Sequence, residues 1–214
     1  KAGAQKTVPA DETGLKGDAQ PPLPLVDAGQ VVERVKAAQQ HTFTRRYTER
    51  AVSFIREHQE QPFFIYLPHN AVHFPDYPHQ DFMGKSGVSL QKDWTLEVDW
   101  SVGQILATLR ALKMDSNTLV IFTADQGFAM GEHGFRTKLA PYDANYRSPL
   151  IISQPGTLPE GKVCQRPVNA TDIVATMSAV SKVTIPWRTH GRDLTPLLKN
   201  PDRGDWLFPC FFEA

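Results

Sequence analysis

Residues Asn117–Pro149, NTLVIFTADQGFAMGEHGFRTKLAPYDANYRSP, contain the strongest structural pattern in the chain. It opens with Thr118–Phe122, an apolar run rich in β-branched and aromatic residues, which predicts a strand buried on both faces of a mostly parallel sheet. Asp125, Gln126 and Gly127 follow directly after this run. Because ligands bind beyond the carboxyl ends of the strands in open α/β sheets, we expect a site at this point.

The tripeptide Asp125-Gln126-Gly127 has two interpretations, a metal site and a turn. Carboxylate and amide oxygens are the ligands that Ca²⁺ and Mg²⁺ prefer, and glycine lets the backbone turn sharply after them. By itself, however, the tripeptide is a common turn after a strand and favours turn chemistry over metal binding. The loop that follows runs to a second apolar segment, Pro149–Ile152. Long loops between core strands more often have a function than serve only as connections.

The rest of the chain alternates between helical and strand patterns. Thr44–Gln59 predicts a helix, Phe63–Leu67 a second buried strand, and Leu90–Lys113 a long helix that leads to the strand at Thr118. This order predicts βαβ connections and a parallel sheet flanked by helices. Further predictions are a hairpin within 21–32, a helix over 172–180 with Thr171 or Asp172 as its N-cap, a helical stub in 191–198, a strand-like run from 207 to 212, and a loose segment over 1–20.

The two long helices have predicted faces. The core face of the first contains Tyr47, Ala51, Phe54, Ile55 and His58. In the second helix, an apolar stripe starts at Trp94, which we interpret, like Trp100, as a packing residue. Asp93 and Glu97 lie off that stripe.

Composition narrows the functional classes. The chain has 214 residues, of which 41% are hydrophobic and 21% charged, with a formal net charge of +0. This balance gives no electrostatic argument for nucleic acid or for an anionic membrane as a partner. No apolar stretch approaches the roughly 20 residues of a membrane span. Cys164 and Cys210 allow at most one intrachain disulfide bond.

The loop after the second predicted strand concentrates polar residues, with His69, Asn70 and His73. A single histidine in a loop is more often solvated or capping than functional. The longer pattern changes this expectation. PFFIYLPHNAVHFP (62–75), together with TADQG, GEHG, Lys138, YD and RSPLI in the later stretch, resembles the type I sulfatases of the alkaline phosphatase superfamily in order and spacing.

This resemblance implies a fold and a set of site residues. The fold is α/β, with a mostly parallel central sheet flanked by helices. Asp125 and Gln126 would hold Ca²⁺, or Mg²⁺, although the family often has Asn or His where this chain has Gln126. Lys138 would contact the sulfate and the bridging oxygen, and His73 the sulfate or the leaving group. His133, in GEHG, is a further candidate for substrate binding.

The resemblance also implies a reaction, the hydrolysis of a sulfate ester of a carbohydrate or an aryl alcohol. In the family, the nucleophile is a formylglycine that matures from the first residue of a Cys-x-Pro-x-Arg motif. Cys164 lies in Cys-Gln-Arg-Pro-Val, and Cys210 has no arginine after it. We therefore expect residues 21–214 to be part of the family's catalytic domain, without its first strands and its smaller C-terminal subdomain, and to be inactive alone.

Two alternatives stay open. The first is a phosphomonoester or phosphonate hydrolase of the same superfamily. The second is a non-catalytic module that binds sulfated glycans through His73, Lys138 and Arg136. The resemblance implies a secreted, periplasmic or lysosomal location, although no apolar signal core is found in residues 1–20.

Overall fold

The structure is a computed structural model, and it describes residues 23–138, 140–208 and 210. The segment predicted to be loose, residues 1–20, lies outside them. The chain divides into two compact units, residues 1–113 and 114–214, which are described separately below. Among the described residues, no helix is long and apolar enough to cross a membrane.

The first unit begins with the predicted hairpin. Strand β1 (Leu23–Asp27) pairs antiparallel with β2 (Gln30–Val35), and Asp27 lies opposite Gln30. Both residues of the turn, Ala28 and Gly29, have positive φ angles of 48° and 80°. Two-residue turns of this kind match the right-handed twist of the strands, so the hairpin prediction is confirmed.

Two helices carry the core of the first unit, after a short helix α1 (Ala37–Gln40). Helix α2 (Phe43–Glu57) and helix α3 (Leu90–Ala111) agree with the predicted ranges to within two residues at each end. Trp94 is 1% exposed, as predicted, and its indole N–H donates to the Thr44 hydroxyl at 3.0 Å. The Thr48 hydroxyl likewise donates to Ser101 Oγ at 2.6 Å. The contact between helices α2 and α3 is therefore stabilised by buried hydroxyl groups as well as by apolar packing.

The predicted faces of these helices are partly wrong. Thr44 and Thr48 are buried, although the pattern placed neither on the core face of α2. Asp93 and Glu97 were predicted to lie off the buried stripe of α3, yet they are only 2% and 0% exposed. Their carboxylates are buried because they accept backbone N–H groups of the preceding loop. Asp93 accepts from Gly84 and Ser86, both at 2.7 Å, and Glu97 accepts from His79 at 2.8 Å.

The prediction of a strand over Phe63–Leu67 is wrong for the described structure, which has no strand there. Burial does alternate along this segment, with Phe64 and Tyr66 69% and 78% exposed. The period of two is therefore present, but a strand also requires a hydrogen-bonded partner, which the pattern of one segment does not specify.

The second unit contains a pair of short strands, β3 (Val120–Thr123) and β6 (Leu150–Ser153). They pair antiparallel, with Thr123 opposite Leu150, and every strand pair among the described residues is antiparallel. The expectation of parallel pairing is not met for these runs. The reason is that loop 124–149 connects the C-terminal end of β3 to the start of β6 at the same end of the strand pair. Parallel strands would require a crossover connection, usually a long helix.

The burial predicted for the first of these strands is also wrong. In β3, the side chains are half-buried in the first two residues and exposed in the last two, Phe122 and Thr123. Two strands alone cannot cover both of their faces, so a side chain on the open face stays in contact with solvent. The apolar composition of the run indicated a strand correctly but not what packs on it.

Loop 124–149 has its own secondary structure. Strands β4 (Ala129–Met130) and β5 (Arg136–Thr137) form a small hairpin with a 3₁₀ turn, Glu132–Gly134, at its tip. Helix α4 (Asp143–Tyr146) follows. The predicted long loop therefore contains a hairpin and one helical turn.

The end of the second unit is built around helix α5 (Ala170–Ser181) and helix α6 (Thr195–Lys199), as predicted. The N-cap of α5 is Asn169, not Thr171 or Asp172, and Asp172 instead completes a capping box from inside the first turn. The run from Leu207 has no strand at residues 207 and 208, and most of the rest lies outside the described residues. Cys164 and Cys210 are both free thiols.

Candidate functional site

The candidate site of the second unit lies where β3 ends. The Lys138 ammonium forms an ion pair with the Asp125 carboxylate. The Gln126 side-chain amide donates to the backbone carbonyl of Lys138 at 3.2 Å. Two adjacent residues at the strand end thus hold Lys138, one through its side chain and one through its backbone. Three of the residues predicted from the sequence are therefore brought together.

Gly127 fixes the other side of this strand end. Its N–H donates to the Asn145 carbonyl at 2.9 Å. A Cβ at Gly127 would lie 1.9 Å from the carbonyl oxygen of Ala144, far inside a contact distance. The sequence suggested that this glycine serves a sharp turn. The structure gives a different reason, which is that helix α4 approaches the backbone too closely for any side chain.

The charges at this site favour an ionised carboxylate. The hydrogen bond from Lys138, followed by one from the backbone of Gln126, lowers the pKa of Asp125 below its usual value. The Asp125 side chain is 74% exposed and that of Lys138 35% exposed. Asp125 thus stays charged into acidic solution, and both groups are accessible to a ligand from solvent.

The donor set fits part of the shell of a divalent cation. A carboxylate can accept about four hydrogen bonds or metal contacts, so Asp125 retains capacity beside Lys138. The amide nitrogen of Gln126 faces the Lys138 carbonyl, which leaves its oxygen as the possible ligand. Ca²⁺ takes six to eight oxygens. No group of three or more His, Cys, Asp or Glu side chains in the described part of the chain could hold a metal ion.

His133 lies at the tip of the small hairpin, with a positive φ of 54°. Its ring stacks on Tyr142, with 4.0 Å between the ring centroids and 19° between the planes. Phe135 packs on the same tyrosine at 5.7 Å. Thr137, just before Lys138, also has a positive φ of 73°, which is unusual for a β-branched residue. The GEHG segment is therefore anchored by aromatic contacts that the sequence did not reveal, since they require the hairpin.

His73 belongs to the first unit, where it is exposed. Its Nδ1 donates to the Phe74 carbonyl at 2.7 Å, because a carbonyl only accepts. This bond leaves Nε2 as the nitrogen available to a ligand. His69, by contrast, is used internally, with its Nε2 at 3.1 Å from Ser101 Oγ. That His73 and Lys138 contact one ester stays a prediction.

Asp143 and Arg147 contact each other beside helix α4. Arg147 Nη1 lies 3.5 Å from Asp143 Oδ2, one turn apart on and just after α4. Both side chains are about 80% exposed, so this contact contributes little to stability.

The ion pair between Asp172 and Arg192 in the second unit was not predicted from the sequence. The Asp172 carboxylate is 1% exposed and accepts from the backbone and the guanidinium of Arg192, at 2.8 to 3.2 Å. The guanidinium also lies over the rings of Trp206 and Phe208, at 5.4 and 5.0 Å. This contact ties the start of α5 to the end of the chain and has a structural role.

Comparisons with known proteins agree with these motifs. The chain is 34% identical over 157 residues to an N-acetylgalactosamine-6-O-sulfatase of Bacteroides thetaiotaomicron, covering 65% of this chain and 30% of that protein. It is 33% identical over 171 residues to human steryl-sulfatase, covering 73% and 29%. The chain thus spans about a third of the length of these curated relatives.

Solved structures give the fold. A structure from work on glycosaminoglycan metabolism in Bacteroides thetaiotaomicron matches with a TM-score of 0.71 and 25% identity, over 92% of this chain and 48% of that one. A phosphonate monoester hydrolase of Silicibacter pomeroyi matches with a TM-score of 0.50 and 26% identity, over 88% and 33%. The fold is therefore the α/β fold of the alkaline phosphatase superfamily.

The family model described as Sulfatase matches residues 11–183, which is most of the chain. This range contains all five candidate site residues, namely His73, Asp125, Gln126, His133 and Lys138. The chain therefore belongs to the sulfatase family.

Proposed function

We propose that this chain supplies the sulfate-binding residues of an enzyme that hydrolyses sulfate esters of carbohydrates, with Lys138 as the main cation that contacts the sulfate. The observation that carries this proposal is the Lys138–Asp125 pair at the end of β3, where the ammonium group is held by a carboxylate yet remains accessible. An ammonium group is a compact cation with three donors, suited to a tetrahedral anion. The names of the relatives in the family support sulfate esters as the class of substrate.

The remaining residues have distinct parts in this proposal. Asp125 and Gln126 would hold a Ca²⁺ or Mg²⁺ ion, which supplies positive charge against the sulfate oxygens when it is bound. His73 would contact the sulfate or the leaving oxygen through Nε2, since its Nδ1 donates to the Phe74 carbonyl. His133 would contact the substrate beside the sulfate. Formylglycine would be the nucleophile in a longer enzyme, and a cellular location outside the cytosol follows from the family resemblance.

Binding separates this function from the alternatives. Ligand-observed NMR titrations of the chain would use N-acetylgalactosamine 6-sulfate, the matching 6-phosphate and the uncharged sugar, each with and without Ca²⁺. We expect the sulfate to bind more tightly than the uncharged sugar, and Lys138→Ala to weaken it about tenfold or more. Lys162, whose side chain is 55% exposed in the same unit, provides the matched control Lys162→Ala. Equal binding of sulfated and uncharged sugar would refute the proposal.

The alternative with structural support is a phosphonate or phosphate ester hydrolase, since one such enzyme shares the fold. Clear preference for the 6-phosphate over the 6-sulfate would favour it. Because neither cysteine lies in the nucleophile motif, we expect these 214 residues to show no turnover of a chromogenic aryl sulfate with Ca²⁺. Turnover well above that of Lys138→Ala would contradict this expectation.

A further inference from the structure

We propose that His133, Phe135 and Tyr142 form a platform on which the pyranose ring of the sulfated substrate stacks, so that these rings select a sugar ester. These three residues are called the aromatic platform below. The inference rests on the proposed function and adds to it the part of the substrate that lies beside the sulfate.

The aromatic platform is exposed, although its members contact one another. His133 and Tyr142 are stacked 4.0 Å apart, and Phe135 packs on Tyr142 at 5.7 Å. Phe135 remains 45% exposed and Tyr142 38% exposed. Mutual stacking fixes the rings without burying them, which is the condition for a preformed binding surface.

The aromatic platform is held close to Lys138 by the backbone. Phe135 is three residues before Lys138, and three extended residues span at most about 11 Å. Tyr142 is the N-cap of helix α4, and the carbonyl of Asn145 in that helix accepts the Gly127 N–H. Gly127 in turn follows Gln126, which holds the Lys138 carbonyl. The rings and the ammonium group are therefore positioned by the same strand end.

The chemistry of the aromatic platform matches a pyranose. The C–H bonds on one face of a pyranose carry partial positive charge, and the face of an aromatic ring is negative. The hydroxyl groups at the edge of the sugar stay in water, which an exposed platform permits. The sulfate, directed away from the stacked face, would then meet Lys138. Binding pockets commonly combine aromatic surfaces with a few polar groups in this way.

The test compares a sugar sulfate with an anion that has no ring. The chain and its variants Tyr142→Ala, Tyr142→Phe and Phe135→Ala would be titrated with N-acetylgalactosamine 6-sulfate and with methyl sulfate. We expect both alanine variants to weaken the sugar sulfate about three- to tenfold and to leave methyl sulfate within twofold. Tyr142→Phe should bind both as the parent does. Trp187, which is 68% exposed in the same unit, gives the control Trp187→Ala.

The outcomes are distinct. If the alanine variants weaken both ligands equally, or neither, while Lys138→Ala still weakens both, the platform is refuted and the proposed function stands. If Lys138→Ala weakens neither ligand, the proposed function fails. Thermal melting checks the fold of each variant. Should Tyr142→Ala unfold, Phe135→Ala carries the same comparison, because Phe135 caps the 3₁₀ turn only through its backbone N–H, which alanine retains.

Discussion

Gly127→Ala should destabilise the second unit more than any ordinary surface substitution. The new methyl carbon would lie 1.9 Å from the Ala144 oxygen, 2.7 Å from the Ala144 carbonyl carbon and 2.9 Å from the Arg147 oxygen. All three are backbone atoms, so no side-chain rotation relieves the overlap. The strand end and helix α4 must separate by more than about 1 Å to restore a normal contact.

The cost of Gly127→Ala follows from that separation. The hydrogen bond from Gly127 N to Asn145 O, at 2.9 Å, would be lost, at about 1 kcal/mol. Overpacking against fixed atoms adds about 1 to 3 kcal/mol. The free energy of unfolding of the second unit should therefore fall by about 2 to 4 kcal/mol. Because the same backbone holds Gln126 beside Lys138, affinity for a sulfated sugar should fall as well.

Urea denaturation, with hydrogen exchange of residues 125–147 as a local probe, measures this loss. Gly204→Ala is the matched control in the same unit, since an added Cβ there meets no atom within 4 Å. Its free energy of unfolding should stay within about 0.5 kcal/mol of the parent. If Gly127→Ala unfolds at the same urea concentration as Gly204→Ala, close backbone approach is not what requires this glycine.

Two further predictions concern buried polar groups. Asp172→Ala should lower the stability of the second unit by about 2 to 3 kcal/mol, because it leaves Arg192 and two backbone N–H groups without their acceptor. Asp202→Ala, at a side chain that is 74% exposed, is the control, and equal urea midpoints for the two variants would refute this prediction. Burial lowers the pKa of His69, so the unfolded chain binds the proton more readily and the first unit should lose stability as pH falls below about 6.5. His69→Gln should reduce that slope in denaturation measured from pH 7.5 to 5, and an unchanged slope would contradict the assignment.

Local patterns predicted the helices well because helix hydrogen bonds lie within one segment. Helix α3 was predicted at Leu90–Lys113 and runs from Leu90 to Ala111. The hairpin at Asp27 and Gln30 was likewise predictable, since its turn is encoded by two neighbouring residues. Each of these elements depends on residues that are close in sequence, which is the range over which periodicity carries information.

Strand pairing was not predictable in the same way. The runs at Phe63–Leu67 and Thr118–Phe122 have similar composition, yet the described structure pairs only the second. Composition identifies a segment that can form a strand, but the partner comes from elsewhere in the chain. The same limit explains why the burial of Asp93 and Glu97 was not predicted. Their carboxylates accept backbone N–H groups of a loop, and the helical pattern contains no information about that loop.

At the candidate site, the sequence predicted which residues take part but not how they are arranged. The identity of Asp125, Gln126 and Lys138 came from the motif, whereas their geometry comes from contacts that the motif does not mention. Those contacts are largely made by the backbone: Thr123 opposite Leu150 in the sheet, the Lys138 carbonyl with Gln126, and the Gly127 N–H with helix α4.

Backbone contacts do not depend on which side chains point into solvent. We therefore expect that the rings at the hairpin tip and at the N-cap of helix α4 can change without moving the Lys138–Asp125 pair. We expect this separation to let one arrangement of charges serve esters of different alcohols, since the sulfate is common to all of them and the rest of the substrate is not. In this chain the positions beside the charges carry His133, Phe135 and Tyr142, and their stacked, exposed rings are the feature that should distinguish a sugar from other alcohols.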